Sequence, residues 1–89
     1  MRLLEIRREI DQIDDQIRDL FARRMALAEQ VAAIKQHEKL PLLDSIREQE
    51  IMDRLTENQD GMLAGYTERL FRTIFELSRV RQAALTEEK

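Results

Sequence analysis

Apolar residues in the first third of the chain recur on alternating steps of four and three: Ile6, Ile10, Ile13, Ile17, Leu20, Leu27, Val31 and Ile34. That spacing predicts the seam of a helix packed lengthwise against other helices. No glycine or proline interrupts it from about Arg2 to about Glu38. At ~1.5 Å per residue the helix would be on the order of 55 Å long. A compact globule of this chain length has a radius of gyration of only about 12 Å. The helix therefore overhangs anything its own chain can build, and the seam calls for a second chain, most simply a homodimer. The register also wants one more apolar residue between Leu20 and Leu27, and Arg24 stands there. A guanidinium on a seam is costly to desolvate and is usually paired with an anion.

The pattern changes at Lys39-Leu40-Pro41-Leu42-Leu43, where Pro41 disfavours helical geometry at Leu40. A second helix is predicted over about 45–57. Ser45 and Glu48 have the spacing of a capping box, and Asp44 is an alternative N-cap. Ile51, Met52 and Leu55 form its short apolar stripe. Asn58-Gln59-Asp60-Gly61 has turn chemistry. A third helix follows over about 62–86, with Leu63, Leu70, Phe71, Ile74, Leu77 and Leu85 as the expected buried side and Gly65 weakening its start. Residues 87–89 are expected to fray. The fold class is all-α: one domain over residues 1–89, built from three helices.

Composition narrows the class further. Charged residues make up 37% of the 89 and aromatics 4%, with two glycines and one proline, the profile of a helical bundle. No run reaches membrane-spanning length, and no apolar signal core follows Met1, so a soluble, cytoplasmic protein is expected. Cysteine is absent, which excludes disulfides and thiolate metal sites. His37 has no metal-ligand partner at helical spacing and reads as a solvated histidine, so no metal site is expected. A net charge of −3 argues against a nucleic-acid partner.

Several polar residues fall on inward faces. Arg24 and Lys35 are eleven residues apart, which returns them to within ~20° of one face. Glu48 precedes Ile51, Met52 and Leu55 at spacings of three, four and seven and shares their stripe. Ser78 follows Phe71 and Ile74 in the same way, with Gln82 one turn beyond. Each has a bland alternative. Arg24 can pair with a core glutamate, Lys35 can snorkel, Glu48 can serve as a capping residue, and Ser78 and Gln82 can be minor core polars. Arg47, in the first turn of a helix, has no evident structural duty. Three helices that each aim polar groups inward are better explained by one shared polar cavity. Asp11, Asp14, Asp15 and Asp19 read as a solvated acidic face, and Arg79 and Arg81 as surface residues. With no glycine-rich phosphate loop and no nucleophile-base pair, a net cationic cavity suits a small dianion whose reaction needs shaping and charge stabilisation.

The chain resembles the all-helical class of chorismate mutases over nearly its whole length. The matching pieces are Leu3-Leu4-Glu5-Ile6-Arg7-Arg8-Glu9-Ile10, then Ala22-Arg23-Arg24-Met25-Ala26-Leu27-Ala28 continuing to Lys35, then Pro41 with Asp44-x-x-Arg47-Glu48, and Ser78-x-x-x-Gln82. The resemblance implies an intertwined dimer of three-helix chains, with two active sites that rearrange chorismate to prephenate on the route to phenylalanine and tyrosine. It further implies that Arg24 and a partner-chain Arg7 grip the two carboxylates, and that Lys35 and Gln82 bond the ether oxygen. Glu48, with the Asp44 main chain, would hold the ring hydroxyl, and Arg47 and Ser78 would support the carboxylate end.

Helical geometry bears independently on Arg7. It lies seventeen residues before Arg24, on the order of 25 Å along the same helix and about 100° round it. It can reach the Arg24 pocket only across a dimer. A unimolecular rearrangement needs no cofactor, and none is expected. Two alternatives stay open at this level: an isochorismate pyruvate lyase on the same fold, and a non-catalytic helical interaction module.

Overall fold

The computed structural model describes residues 2–87; of the residues expected to fray, Glu87 is still helical, and Glu88 and Lys89 lie outside that range. Three helices account for most of it: α1 (Arg2–His37), α2 (Ser45–Thr56) and α3 (Gly61–Glu87). No strand occurs among the described residues, and no helix there is long and apolar enough to cross a membrane.

The helix ends follow local chemistry. α1 stops in a double cap: Leu40 N–H donates to Lys35 C=O at 2.7 Å and Lys39 N–H to Gln36 C=O at 3.2 Å. This is the Schellman arrangement, and it needs a left-handed residue at the position of Lys39, whose φ is 59°. Of the two possible caps for α2, Asp44 is the one used. Its Oδ1 accepts from Arg47 N–H at 3.0 Å. Ser45 is thereby the first helical residue, and Glu48 is released from the capping box for other work. Asp60 caps α3 in the same way, accepting from Leu63 N–H at 2.9 Å, so that helix starts at Gly61.

α3 is the helix against which both others pack. Ile51 and Met52 of α2 bury against Phe75 of α3, with Leu55 and Phe71 alongside. Phe71 and Phe75 meet edge to face, their centroids 6.0 Å apart. From α1, Ala32 is buried. These four buried apolar residues are a small core.

The expected buried side of α3 needs correction. Leu63, Leu70 and Leu77 are exposed, whereas Phe75, Ser78 and Gln82 are buried. The heptad-spaced leucines line up on their own stripe, roughly a third of a turn or more from the Phe75 face. No element of this chain covers that stripe. The seam of α1 is equally bare. Its eight apolar residues range from 42% exposed at Ile6 to 58% at Leu20, and every residue over 2–20 is exposed. The chain is correspondingly elongated, 55 × 27 × 14 Å with a radius of gyration of 16.3 Å.

A side chain in left-handed geometry at Lys39 costs on the order of 1 kcal/mol that glycine does not. Lys39→Gly should therefore hold or slightly raise stability in urea unfolding, by up to about 0.5 kcal/mol once glycine's greater unfolded-state freedom is subtracted. A loss of stability would show that the cap depends on the lysine side chain.

Candidate functional site

A cleft of about 430 Å³ opens where the C-terminal half of α1, the α1–α2 connection, α2 and α3 meet. Arg24, Lys35, Asp44, Arg47, Glu48, Ser78 and Gln82 all line it. Arg7 does not; it lies on the exposed N-terminal half of α1. Among the lining residues are Leu27, Val31, Ile51 and Phe75, which give the cleft apolar walls around its charges.

Each polar side chain is held by an identifiable partner. Arg24 Nη1 donates to Ser78 Oγ at 2.9 Å, and Ser78 Oγ passes its own hydrogen to Ile74 C=O at 2.8 Å. The guanidinium carbon sits 5.6 Å from the centroid of Phe75, within cation–π range. Ser78 thus fixes Arg24 from beneath. Gln82 Nε2 donates to Ala28 C=O at 2.9 Å, which orients the amide and leaves its second hydrogen unassigned. Lys35 Nζ donates to Leu42 C=O at 3.0 Å, tying the connection to α1.

Arg79 is the residue that sequence reasoning misplaced. It was expected on the surface, but it lines the cleft, and its Nη1 donates to Glu48 Oε2 across the α2–α3 packing. It lies about 100° round α3 from Ser78, outside the apolar stripe. Only the docking of α2, which brings Glu48 opposite, draws it in. Arg81 does remain at the surface, pairing with Glu29 at 2.7 Å.

The cleft's ionised groups are four cations (Arg24, Lys35, Arg47 and Arg79) against two carboxylates (Asp44 and Glu48), an excess of two positive charges. Arg24 registers that excess. Burial holds its guanidinium below the ordinary arginine value, neighbouring Arg47 adds to the effect, and Glu48 opposes it. A small dianion would restore balance. The polar partners stand on three segments, so such a ligand could be gripped from several sides at once.

Three helices converging on one cationic cleft define an all-helical class with a polar site between its helices, and the sequence comparisons identify it. A family model described as chorismate mutase type II matches residues 6–83. The chain belongs to that family. A curated relative, a chorismate mutase of Methanocaldococcus jannaschii, is 46% identical over 54 residues, covering 61% of this chain. The matched stretch spans 54% of that relative, about half its length. No solved structure matches the chain significantly.

The environment of Arg24 generates a stability prediction. A base whose folded-state pKa is lowered holds its proton less favourably in the folded protein than in the unfolded chain. Its charge costs stability at every pH below that folded pKa, and the cost is relieved only as pH rises through it. Neutral Arg24→Leu should therefore unfold at an equal or higher temperature at pH 7. Ser78 would lose one donor but keep its bond to Ile74. A loss exceeding about 1 kcal/mol would make Arg24 a structural residue and weaken the reading of the cleft as a binding site.

Proposed function

We propose that this chain is a chorismate mutase, converting chorismate to prephenate, and that it works as a homodimer. The observation that carries the reading is the convergence of seven residues from three helices and one connection on a single cleft with two excess positive charges. Chorismate is a dianion of the size such a cleft accepts. In the reaction an ether C–O bond breaks while a C–C bond forms within the same molecule. No group is transferred to the protein and no electron leaves the substrate. Catalysis then means holding a compact conformer and placing donors where negative charge develops. An enhancement of 10⁶ asks for about 8 kcal/mol.

In this reading Arg24, steadied by Ser78 and Phe75, grips one carboxylate, and Arg47 supports it. Lys35 and the second amide hydrogen of Gln82 donate to the ether oxygen, which gains charge as its bond breaks. Glu48 and the main chain at Asp44 take the ring hydroxyl. The partner chain's copy of Arg7 supplies the other carboxylate contact. Dimerisation is supported by the bare α1 seam and by the exposed leucines of α3, which a second copy would cover. Aromatic amino-acid synthesis is the matching metabolic role.

The direct test is loss of chorismate absorbance on adding the purified chain, with product analysis. Pyruvate released from isochorismate, with chorismate untouched, would assign lyase chemistry instead. The dimer and the trans role of Arg7 are tested together. Arg7→Ala and Lys35→Ala should each be nearly inactive. Refolded in equal amounts, half the dimers would be mixed, each with one intact site. About a quarter of wild-type activity should return if assembly is statistical. Absence of rescue in a mixture shown to exchange subunits would remove Arg7 from the site.

Gln82→Glu tests the donor to the ether oxygen. A carboxylate can only accept hydrogen bonds, so it would repel both the developing charge and the Ala28 carbonyl that the amide now serves. Only the protonated acid can replace the amide. Activity of Gln82→Glu should fall as pH rises through the introduced carboxyl's pKa and recover on acidification. Wild type should stay nearly flat across that range. A variant profile as flat and as high as wild type would mean that position 82 does not touch the reacting oxygen.

A further inference from the structure

The Arg79–Glu48 pair has no counterpart among the roles assigned above. Glu48 is a carboxylate in a cleft built for a dianion, so on charge alone it opposes the ligand. Its Oε2 is occupied by Arg79 Nη1, and Oε1 has no hydrogen-bond donor among the described residues. Both side chains line the cleft and are partly exposed, 27% for Glu48 and 36% for Arg79. The two come from different helices, so the pair forms only when α2 docks on α3. Arg47, three residues along from the Asp44 cap, leans instead toward Glu50 at 3.9 Å, leaving Arg79 as the cation hydrogen-bonded to Glu48, while Arg24 feels the same carboxylate at longer range.

The geometry points to Arg79 as a positioning residue for substrate binding: it clamps one oxygen of Glu48, turns the other toward the cleft as an acceptor, and offsets the charge that Glu48 would otherwise set against the dianion. The inference rests on the proposed function, in which Glu48 accepts from the ring hydroxyl. Arg79 itself need not touch substrate. The ring hydroxyl is not among the reacting atoms, so its grip should count equally in ground state and transition state. An interaction of that kind appears in KM and leaves kcat nearly unchanged.

The test is a double-mutant cycle read in steady-state chorismate turnover, with helical content checked for every variant. Arg79→Leu should raise KM 10- to 100-fold and change kcat less than threefold. Arg79→Lys keeps the charge and should recover most of the loss, whereas Arg79→Met, which keeps a stem of similar length without the charge, should not. The decisive comparison is with Glu48→Gln. A neutral amide needs no cation to offset it, so adding Arg79→Leu to Glu48→Gln should raise KM less than threefold further. Additive losses in the double variant would mean that Arg79 acts on the substrate directly. A fall in kcat at constant KM would put it with the reacting atoms. Either result overturns the inference while the wild-type activity stands. An inert wild-type chain would overturn the proposed function, and this inference with it.

Discussion

The contact between α1 and α3 is the constraint on which the rest depends, and it is largely polar. Where a bundle of this size would ordinarily interlock leucines, α3 presents Ser78 and Gln82, and α1 answers with the Arg24 guanidinium and the Ala28 carbonyl. Among the described residues the fully buried apolar side chains are Ala32, Ile51, Met52 and Phe75, with Leu55 and Phe71 packed alongside. The site therefore occupies the place where a core would be.

Charge follows the same division. The pairs on the outer surface are exposed and local: Arg18 with Asp15 and Asp19, and Arg72 with Glu68. Such pairs contribute little to stability. In the cleft four cations outnumber two carboxylates, and the Arg24 pKa is lowered chiefly by burial, with Arg47 adding to the effect and Glu48 opposing it. The cleft walls of Leu27, Val31, Ile51 and Phe75 reduce the screening that water would give.

Much of this was legible in the chain because helices convert spacing into direction. The steps of four and three marked α1, the eleven-residue interval put Arg24 and Lys35 on one face, and the four-residue interval paired Ser78 with Gln82. What failed is equally physical. Periodicity identifies an apolar stripe but not what lies against it, so it points to Leu63, Leu70 and Leu77 as core where the structure buries Phe75. Arg79 was invisible because its direction acquires meaning only when another helix supplies Glu48. Ser45 and Asp44 offered two caps of comparable chemistry, and the backbone chose the one that leaves Glu48 free to face the cleft.

Lys35 carries a consequence for how the chain tolerates change in length. Its main-chain carbonyl receives Leu40 N–H in the cap of α1, while its ammonium reaches the carbonyl of Leu42 two residues further on. One residue thus measures the connection twice, once through its backbone and once through its tip, before Asp44 opens the next helix. Surface loops usually absorb insertions at small entropic cost. This one is a ruler. An added or deleted residue over 39–43 would carry Leu42 off the ammonium and rotate Asp44 and Arg47 relative to Arg24. Variation in length among relatives should accordingly collect at the α2–α3 turn and the chain ends, and spare this connection.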